Sequence, residues 1–233
     1  YEKGVMKKIN VIMLMMLMLL IGIVSVSAKK KEFKPLPCVL TLKDGSKVSG
    51  YLVDVKNAKV MASVYGQVVI NMQTLFISPT PTGKGTKYVA DDAKEMELTV
   101  DGKQRKYLSL YACKILTLPK NLKPTNHRYF WELVYEGKEV LGFLSPTVWY
   151  SSSWTTFYTE ESLAYTYCLK GDEVVVTYYV PETGIRLAAK KTVRACFDRF
   201  PKMDKYLQSD GFSLKDMKRH PIDLLKVLER KIK

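Results

Sequence analysis

The chain has 233 residues and a formal net charge of +14. Without its first 28 residues it is still long enough for one sizeable domain or two small ones. Its four cysteines are far apart and form no Cys-x-x-Cys pair, which argues against a structural zinc site and against a thioredoxin-like redox site.

The first 28 residues have the three parts of a secretory signal peptide. They comprise a positive start at Lys7 and Lys8, an apolar run over residues 11–24, and small residues up to Ala28. The apolar run is shorter than the ~20 residues that a membrane-spanning helix needs, which favours cleavage over an uncleaved anchor. We therefore expect a periplasmic or secreted protein, and we expect residues 1–5 to precede its natural start.

The cysteines Cys38, Cys113, Cys168 and Cys196 leave two alternatives open. In an oxidising compartment, an even number of cysteines permits two disulfides, with three possible connectivities. The alternative is four buried free thiols that act as small hydrophobic side chains. We expect at least one disulfide, although the sequence does not determine its pairing.

Residues 38–78 have the pattern of a small β-barrel. Asp44-Gly45 is a hairpin turn signal between the first two strands. The succession of apolar strand, Asp-Gly, Val-x-Gly and apolar strand resembles the opening of an SH3-like or Sm-like barrel. The resemblance implies a compact barrel and does not imply RNA binding. The five predicted strands are residues 38–42, 47–55, 60–64, 67–71 and 75–78.

Four further segments complete the predicted organisation. A basic lead-in over residues 29–37 is expected to be poorly ordered, and Pro, Thr and Gly mark residues 79–88 as a linker. Turn signals between short strands predict an antiparallel β-meander over residues 89–190. These signals are Asp101-Gly102, Glu136-Gly137 and Lys170-Gly171-Asp172. Residues 191–233 are predicted to be helical. The expected fold class is therefore α+β, mostly β, with C-terminal helices.

The tail has the period of amphipathic helices. Ser213 and Asp216 resemble a capping box, and Pro221 suits the first position of the next helix, whose apolar stripe begins at Ile222. Residues 186–233 hold 14 Lys or Arg against 6 Asp or Glu, which suits contact with a polyanion or, as we favour, an ordinary solvated helix surface. The stripe can lie on an anionic membrane or cover the sheet. We expect it to cover the sheet, because a sheet needs a second layer.

Two stretches are similar to one group of proteins. They are WELVYEGKEVLGFL, residues 131–144, and residues 195–229, which include the element Phe-Asp-Arg-Phe-Pro at 197–201. The second stretch resembles the C-terminal segment of uncharacterised secreted β-rich proteins of Bacteroides-type bacteria. In that group a β-rich body ends in an aromatic-Asp-x-x-Pro element followed by paired helices. The resemblance implies export and a helical tail, and it implies no activity.

Residues able to support catalysis are sparse. His127 and His220 lack the spacing of a metalloprotease site, and no nucleophile elbow, P-loop or dinucleotide motif occurs. A Cys113–His127 nucleophile pair is a weak alternative. Asp91-Asp92 lacks the dense oxygen ligands of a calcium loop. Carboxylates that would suit glycoside hydrolysis are Glu132, Glu160, Glu161, Asp172 and Glu173, a set that any β protein of this size offers.

The clearest candidate for binding is a cluster of aromatic residues. Residues 129–179 hold 14 of the 26 aromatic residues, and in residues 149–158 the rings are interleaved with Ser and Thr. Exposed rings would form a platform for a sugar or a peptide. Inward-facing rings would form the core face of an ordinary strand, which we favour. The candidate ligand-binding residues are Trp149, Tyr150, Trp154 and Tyr158.

Taken together, these features predict an exported, non-catalytic binding or assembly protein of the cell envelope. Its expected partner is a glycan or an envelope protein, with a polyanion contact through the C-terminal helix. The alternative is a secreted hydrolase that acts on glycan or peptide. We expect no cofactor, no metal site and no intracellular nucleic-acid partner.

Overall fold

The fold is known from a computed structural model, which describes residues 33–62, 67–113, 122–149, 162–180 and 190–232. Lys34–Lys233 form one compact unit. Within the described residues, ten β-strands are followed by four α-helices, which confirms the α+β, mostly β class. The predicted signal peptide lies outside the described residues.

The strands and helices have the following bounds. The strands are β1 (Leu36–Leu42), β2 (Lys47–Ala62), β3 (Gln67–Ser78), β4 (Thr86–Val89), β5 (Ala93–Val100), β6 (Lys103–Cys113), β7 (Pro124–Glu136), β8 (Val140–Trp149), β9 (Ser162–Leu169) and β10 (Val174–Tyr179). A short 3₁₀ helix, Ala90–Asp92, precedes β5. The helices are α1 (Lys190–Cys196), α2 (Pro201–Gln208), α3 (Leu214–Arg219) and α4 (Pro221–Lys231).

All ten strands belong to one sheet, in the order β10-β9-β8-β7-β6-β5-β1-β2-β3-β4. The run from β5 to β10 is an antiparallel meander, as the turn signals predict. In addition, β10 pairs in parallel with β6, through Val174 with Tyr111 and Val175 with Ala112. This pairing closes strands β6 to β10 into a ring of five.

The hairpin turns agree with their sequence signals. Asp101 and Gly102 join β5 to β6, and both have positive φ angles, 50° and 74°. Two successive residues with positive φ are what a type I′ hairpin turn requires, and Gly adopts this conformation without steric cost. The predicted hairpins around Asp44-Gly45, Glu136-Gly137 and Lys170-Gly171-Asp172 are also present.

The N-terminal region differs from the predicted barrel in its strands. Residues 38–78 form three strands instead of five, because the expected breaks are bulges across which pairing continues, such as the register shift between Lys56 and Asn57. These strands do not close on themselves, because β1 pairs with β5 and β3 pairs with β4, β7 and β8. The sheet therefore continues across residues 79–88, and β4 begins inside that predicted linker. Similarly, β1 begins at Leu36, inside the predicted lead-in.

Two hydrophobic clusters form the core, and β9 contributes one of its two faces to each cluster. Ala164 and Cys168 belong to a cluster with Trp131 and Phe143, within the sheet. Tyr167, one residue out of phase, belongs to the other cluster, where the helices pack. This division follows from the period of two along a strand, which sends successive side chains to opposite faces.

Helix α4 covers the sheet with its apolar side. Leu224, Leu225 and Leu228 are at most 4% exposed and lie in the cluster that includes Tyr167. A Cβ atom at Gly142 of β8 would overlap the Cδ1 atom of Leu225, so the helix approaches the strand where a side chain is missing. The expectation that the stripe covers the sheet is therefore confirmed. No helix in the described part of the chain is long and apolar enough to cross a membrane.

Candidate functional site

The aromatic residues singled out from the sequence lie at the margin of the structure or beyond it. Trp149 is the last residue of β8, and its backbone pairs with Gln67 of β3. Tyr150, Trp154 and Tyr158 lie outside the described residues. Whether these rings form a platform or a core face therefore stays a prediction.

The described carboxylates among the hydrolase candidates take part in ion pairs. Glu132 contacts Arg105 at 3.3 Å, and Asp172 contacts Arg199 at 3.0 Å. Glu173 accepts a hydrogen bond at 3.0 Å from the guanidinium of Arg128, which is buried and also donates twice to the carbonyl of Ser109. The arrangement supports a structural role. Glu160 and Glu161 lie outside the described residues.

His127 is bound to an aspartate. Its Nδ1 atom lies 3.0 Å from Oδ2 of Asp91, and Oδ1 of the same carboxylate accepts from the backbone N–H of Arg128. Cys113, the nucleophile proposed to accompany His127, is buried in the cluster beneath the helices. Through these two contacts, the Asp91 carboxylate links the 3₁₀ helix to β7.

All four cysteines lie within the described residues, and all four are free thiols. The structure thus contains the free-thiol alternative and not the expected disulfide. Burial raises the pKa of Cys38 to about 11 and the pKa values of Cys168 and Cys196 to about 12. Because the thiolate is the nucleophile, these environments suppress thiol chemistry near neutral pH.

The exposed side of the helical layer is strongly basic. Residues 190–232 hold twelve Lys or Arg against six Asp or Glu. Three of those acids are already engaged: Asp204 by Arg194, Asp223 by Lys226, and Glu229 by backbone N–H groups. In α2, α3 and α4, five exposed cations form no ion pair within the described residues. We call Lys205, Lys215, Lys218, Arg219 and Arg230 the basic helix surface.

A small cavity, which we call the helix pocket, opens between α2, α3 and α4. Its volume is about 160 Å³. Phe212, Met217 and Leu224 line it and are at most 8% exposed, so they form an apolar floor. Tyr206 also lines the pocket, and its ring meets the Phe212 ring edge-on with centroids 6.0 Å apart. The pocket thus has apolar and aromatic walls.

The rim of the helix pocket is polar. Ser213 caps α3 by accepting a hydrogen bond at 3.2 Å from the backbone N–H of Asp216, as the sequence predicts. Asp216, His220 and Asp223 complete the rim. A hydrogen bond from Lys226 holds the pKa of Asp223 below its usual range, and the charge of His220 contributes further. Two carboxylates, a hydroxyl and an imidazole therefore surround an apolar floor.

The sequence contained only part of the signal for this pocket. The cap at Ser213 and the start at Pro221 are recognisable locally. Asp216, His220 and Asp223 are spaced by four and then three residues, but Asp216 and Asp223 lie on separate helices, with His220 between the two. Tyr206 and Phe212 join them only because α2 packs against α4. No local pattern predicts this meeting.

Comparison with known proteins found no relative of this chain. The chain matches no protein-family model, no curated protein and no solved structure.

Proposed function

We propose that the protein is an exported, non-catalytic binding protein of the cell envelope, and that its basic helix surface binds an acidic glycan. The proposal rests on one observation: α4 and its neighbouring helices have a buried apolar side and an exposed basic side. Their apolar residues are buried against the sheet, whereas their unpaired cations are exposed. Fixed positive charges on a rigid support attract a polyanion and orient it.

The burial of the apolar side of α4 favours a glycan over a membrane. A helix that binds a bilayer lies in the interface with its apolar face buried among the lipids. In α4 that face is occupied, since Leu224, Leu225 and Leu228 pack in the core. What remains for a partner is charge, which suits the sulfate, phosphate or carboxylate groups of a soluble acidic polymer.

The binding proposal is tested by charge reversal at the basic helix surface. The test variant combines Lys218→Glu, Arg219→Glu and Arg230→Glu, and the probe is heparin, both immobilised and in solution. Each cation near an anionic surface contributes about 1 kcal/mol at moderate salt. We therefore expect the heparin Kd to rise by roughly 100-fold or more, and retention to weaken steeply as salt increases.

The matched control reverses three exposed lysines that lie in hairpin turns of the sheet or at the strand starts directly after them. Lys43→Glu, Lys47→Glu and Lys103→Glu change the net charge by the same amount at positions distant in sequence from the helices. Equal weakening by both triple variants would mean that overall charge governs binding, and would overturn the proposal. If the protein binds vesicles of phosphatidylcholine with phosphatidylglycerol as tightly as it binds heparin, the partner is a membrane and not a glycan. Deletion of the tail is not a suitable test, because it would expose the core.

Export is tested separately. The full chain is expressed in a bacterium, and the fractionated protein is subjected to N-terminal sequencing. We expect the periplasm or medium to contain a form that begins at Lys29, directly after Ala28. Recovery from the cytoplasm with the leader still attached would contradict the expected compartment.

A further inference from the structure

We propose that the helix pocket is a subsite for one neutral sugar residue of the acidic glycan, an inference that rests on the proposed function. Its volume of about 160 Å³ is similar to that of protein cavities known to take a single benzene ring. The pocket is open to solvent along its polar rim. One six-membered ring would fit, with its remaining substituents directed outward.

The walls of the pocket match the two surfaces of a sugar ring. The C–H groups of a pyranose form an apolar face that can pack on Phe212, Met217 and the ring of Tyr206. Its hydroxyl groups can donate to the carboxylate of Asp216 and exchange hydrogen bonds with Ser213. Within the described residues, the Asp216 carboxylate has no hydrogen-bond or ion-pair partner, so it is available to a ligand.

Charge excludes the two other simple classes of occupant. A cationic ligand would meet Lys226, which lies 2.7 Å from Asp223 and already neutralises it. An anionic ligand would face the unpaired carboxylate of Asp216. A neutral hydroxylated ring meets neither penalty, and in this sense the pocket is complementary to it.

The pocket offers two substitutions that leave the core intact. Asp216→Asn keeps the shape of the side chain and keeps the backbone N–H that Ser213 caps. Gly211→Leu would fill the pocket, because a Cβ at Gly211 meets its nearest neighbours at 3.5 Å and 3.7 Å, which are ordinary contact distances. Asp210→Asn is the matched control, since Asp210 is an exposed neighbouring acid that does not line the pocket.

The experiment is saturation-transfer NMR with the intact mature protein. The probes are glucose, galactose, mannose and N-acetylglucosamine, with glucuronate and cadaverine as charged comparisons. We expect at least one neutral sugar to bind, and to bind more tightly than both charged probes. Asp216→Asn should weaken this binding by about 10-fold, the loss of one charge-assisted hydrogen bond, and Gly211→Leu should abolish it. Asp210→Asn should leave it unchanged, and circular dichroism checks that each variant is folded.

The outcomes separate this proposal from the proposed function. If no neutral sugar binds, if cadaverine binds best, or if Asp216→Asn behaves like Asp210→Asn, the sugar subsite is refuted even when heparin binding persists. If heparin binding proves independent of the basic helix surface while a neutral sugar still requires Asp216, the acidic-glycan proposal fails and the pocket stands as a site for a neutral saccharide.

Discussion

The attachment of α4 to the sheet depends on Glu229, whose removal gives the sharpest test of the structure. Its carboxylate accepts hydrogen bonds from the backbone N–H groups of Glu139 at 2.8 Å and Val140 at 2.9 Å. Glu139 lies in the turn between β7 and β8, and Val140 is the first residue of β8. One side chain near the end of the chain therefore closes a contact across 89 residues of sequence.

The expected cost of Glu229→Ala follows from these contacts. The N–H of Val140 is partly buried and would lose its partner, whereas the N–H of Glu139 is exposed and can turn to water. An unsatisfied buried donor costs about 1–3 kcal/mol, so we expect the free energy of unfolding to fall by about 2–3 kcal/mol. For a chain of this length, this corresponds to a decrease in Tm of roughly 5–10 °C. Glu229→Gln keeps one acceptor oxygen and should lose about half as much.

The assay is urea and thermal unfolding followed by circular dichroism. The control is Arg230→Ala, which changes the adjacent exposed residue of the same helix and should alter stability by less than ~0.5 kcal/mol. If Glu229→Ala and Arg230→Ala have the same free energy of unfolding, the Glu229 carboxylate does not hold α4 to the turn.

Three other predictions concern the core. Gly142→Ala should destabilise by about 1–3 kcal/mol because its Cβ would overlap Leu225; in a double-mutant cycle, Leu225→Ala should offset part of this cost, and additive losses would contradict the contact. The native protein, prepared without reductant, should react slowly with Ellman's reagent and release four thiols when unfolded; fewer than four would reveal a disulfide. The free energy of unfolding should fall as pH rises from 9.0 toward about 11–12, because the unfolded chain loses thiol protons that native Cys38, Cys168 and Cys196 keep. Denaturant titrations at several pH values measure this dependence. A free energy of unfolding that does not change with pH in this range would contradict the burial of the thiols.

Much of the fold was predictable because its signals are local. The Asp101-Gly102 turn requires two positive φ angles that these residues tolerate, so the hairpin is recognisable without knowledge of its partners. The cap at Ser213 and the start of α4 at Pro221 are likewise properties of a few neighbouring residues. The burial of the α4 stripe followed from its period and from the need of the sheet for a second layer. The predicted aromatic site extends beyond the described residues, so its role remains a prediction.

Local patterns in the chain predict the strands of the meander, their turns and the amphipathic tail, since period and turn chemistry act over a few residues. No such pattern predicts that β1 pairs with β5, that β10 pairs with β6, or that Tyr206 and Asp216 line one pocket, because these contacts form between distant parts of the folded chain. Strand edges present the same backbone donors and acceptors to any partner, so their pairing depends on how the whole core packs. The bulges of β2 and β3 show the same limit, because a polar break within a strand resembles a loop until its partner is known.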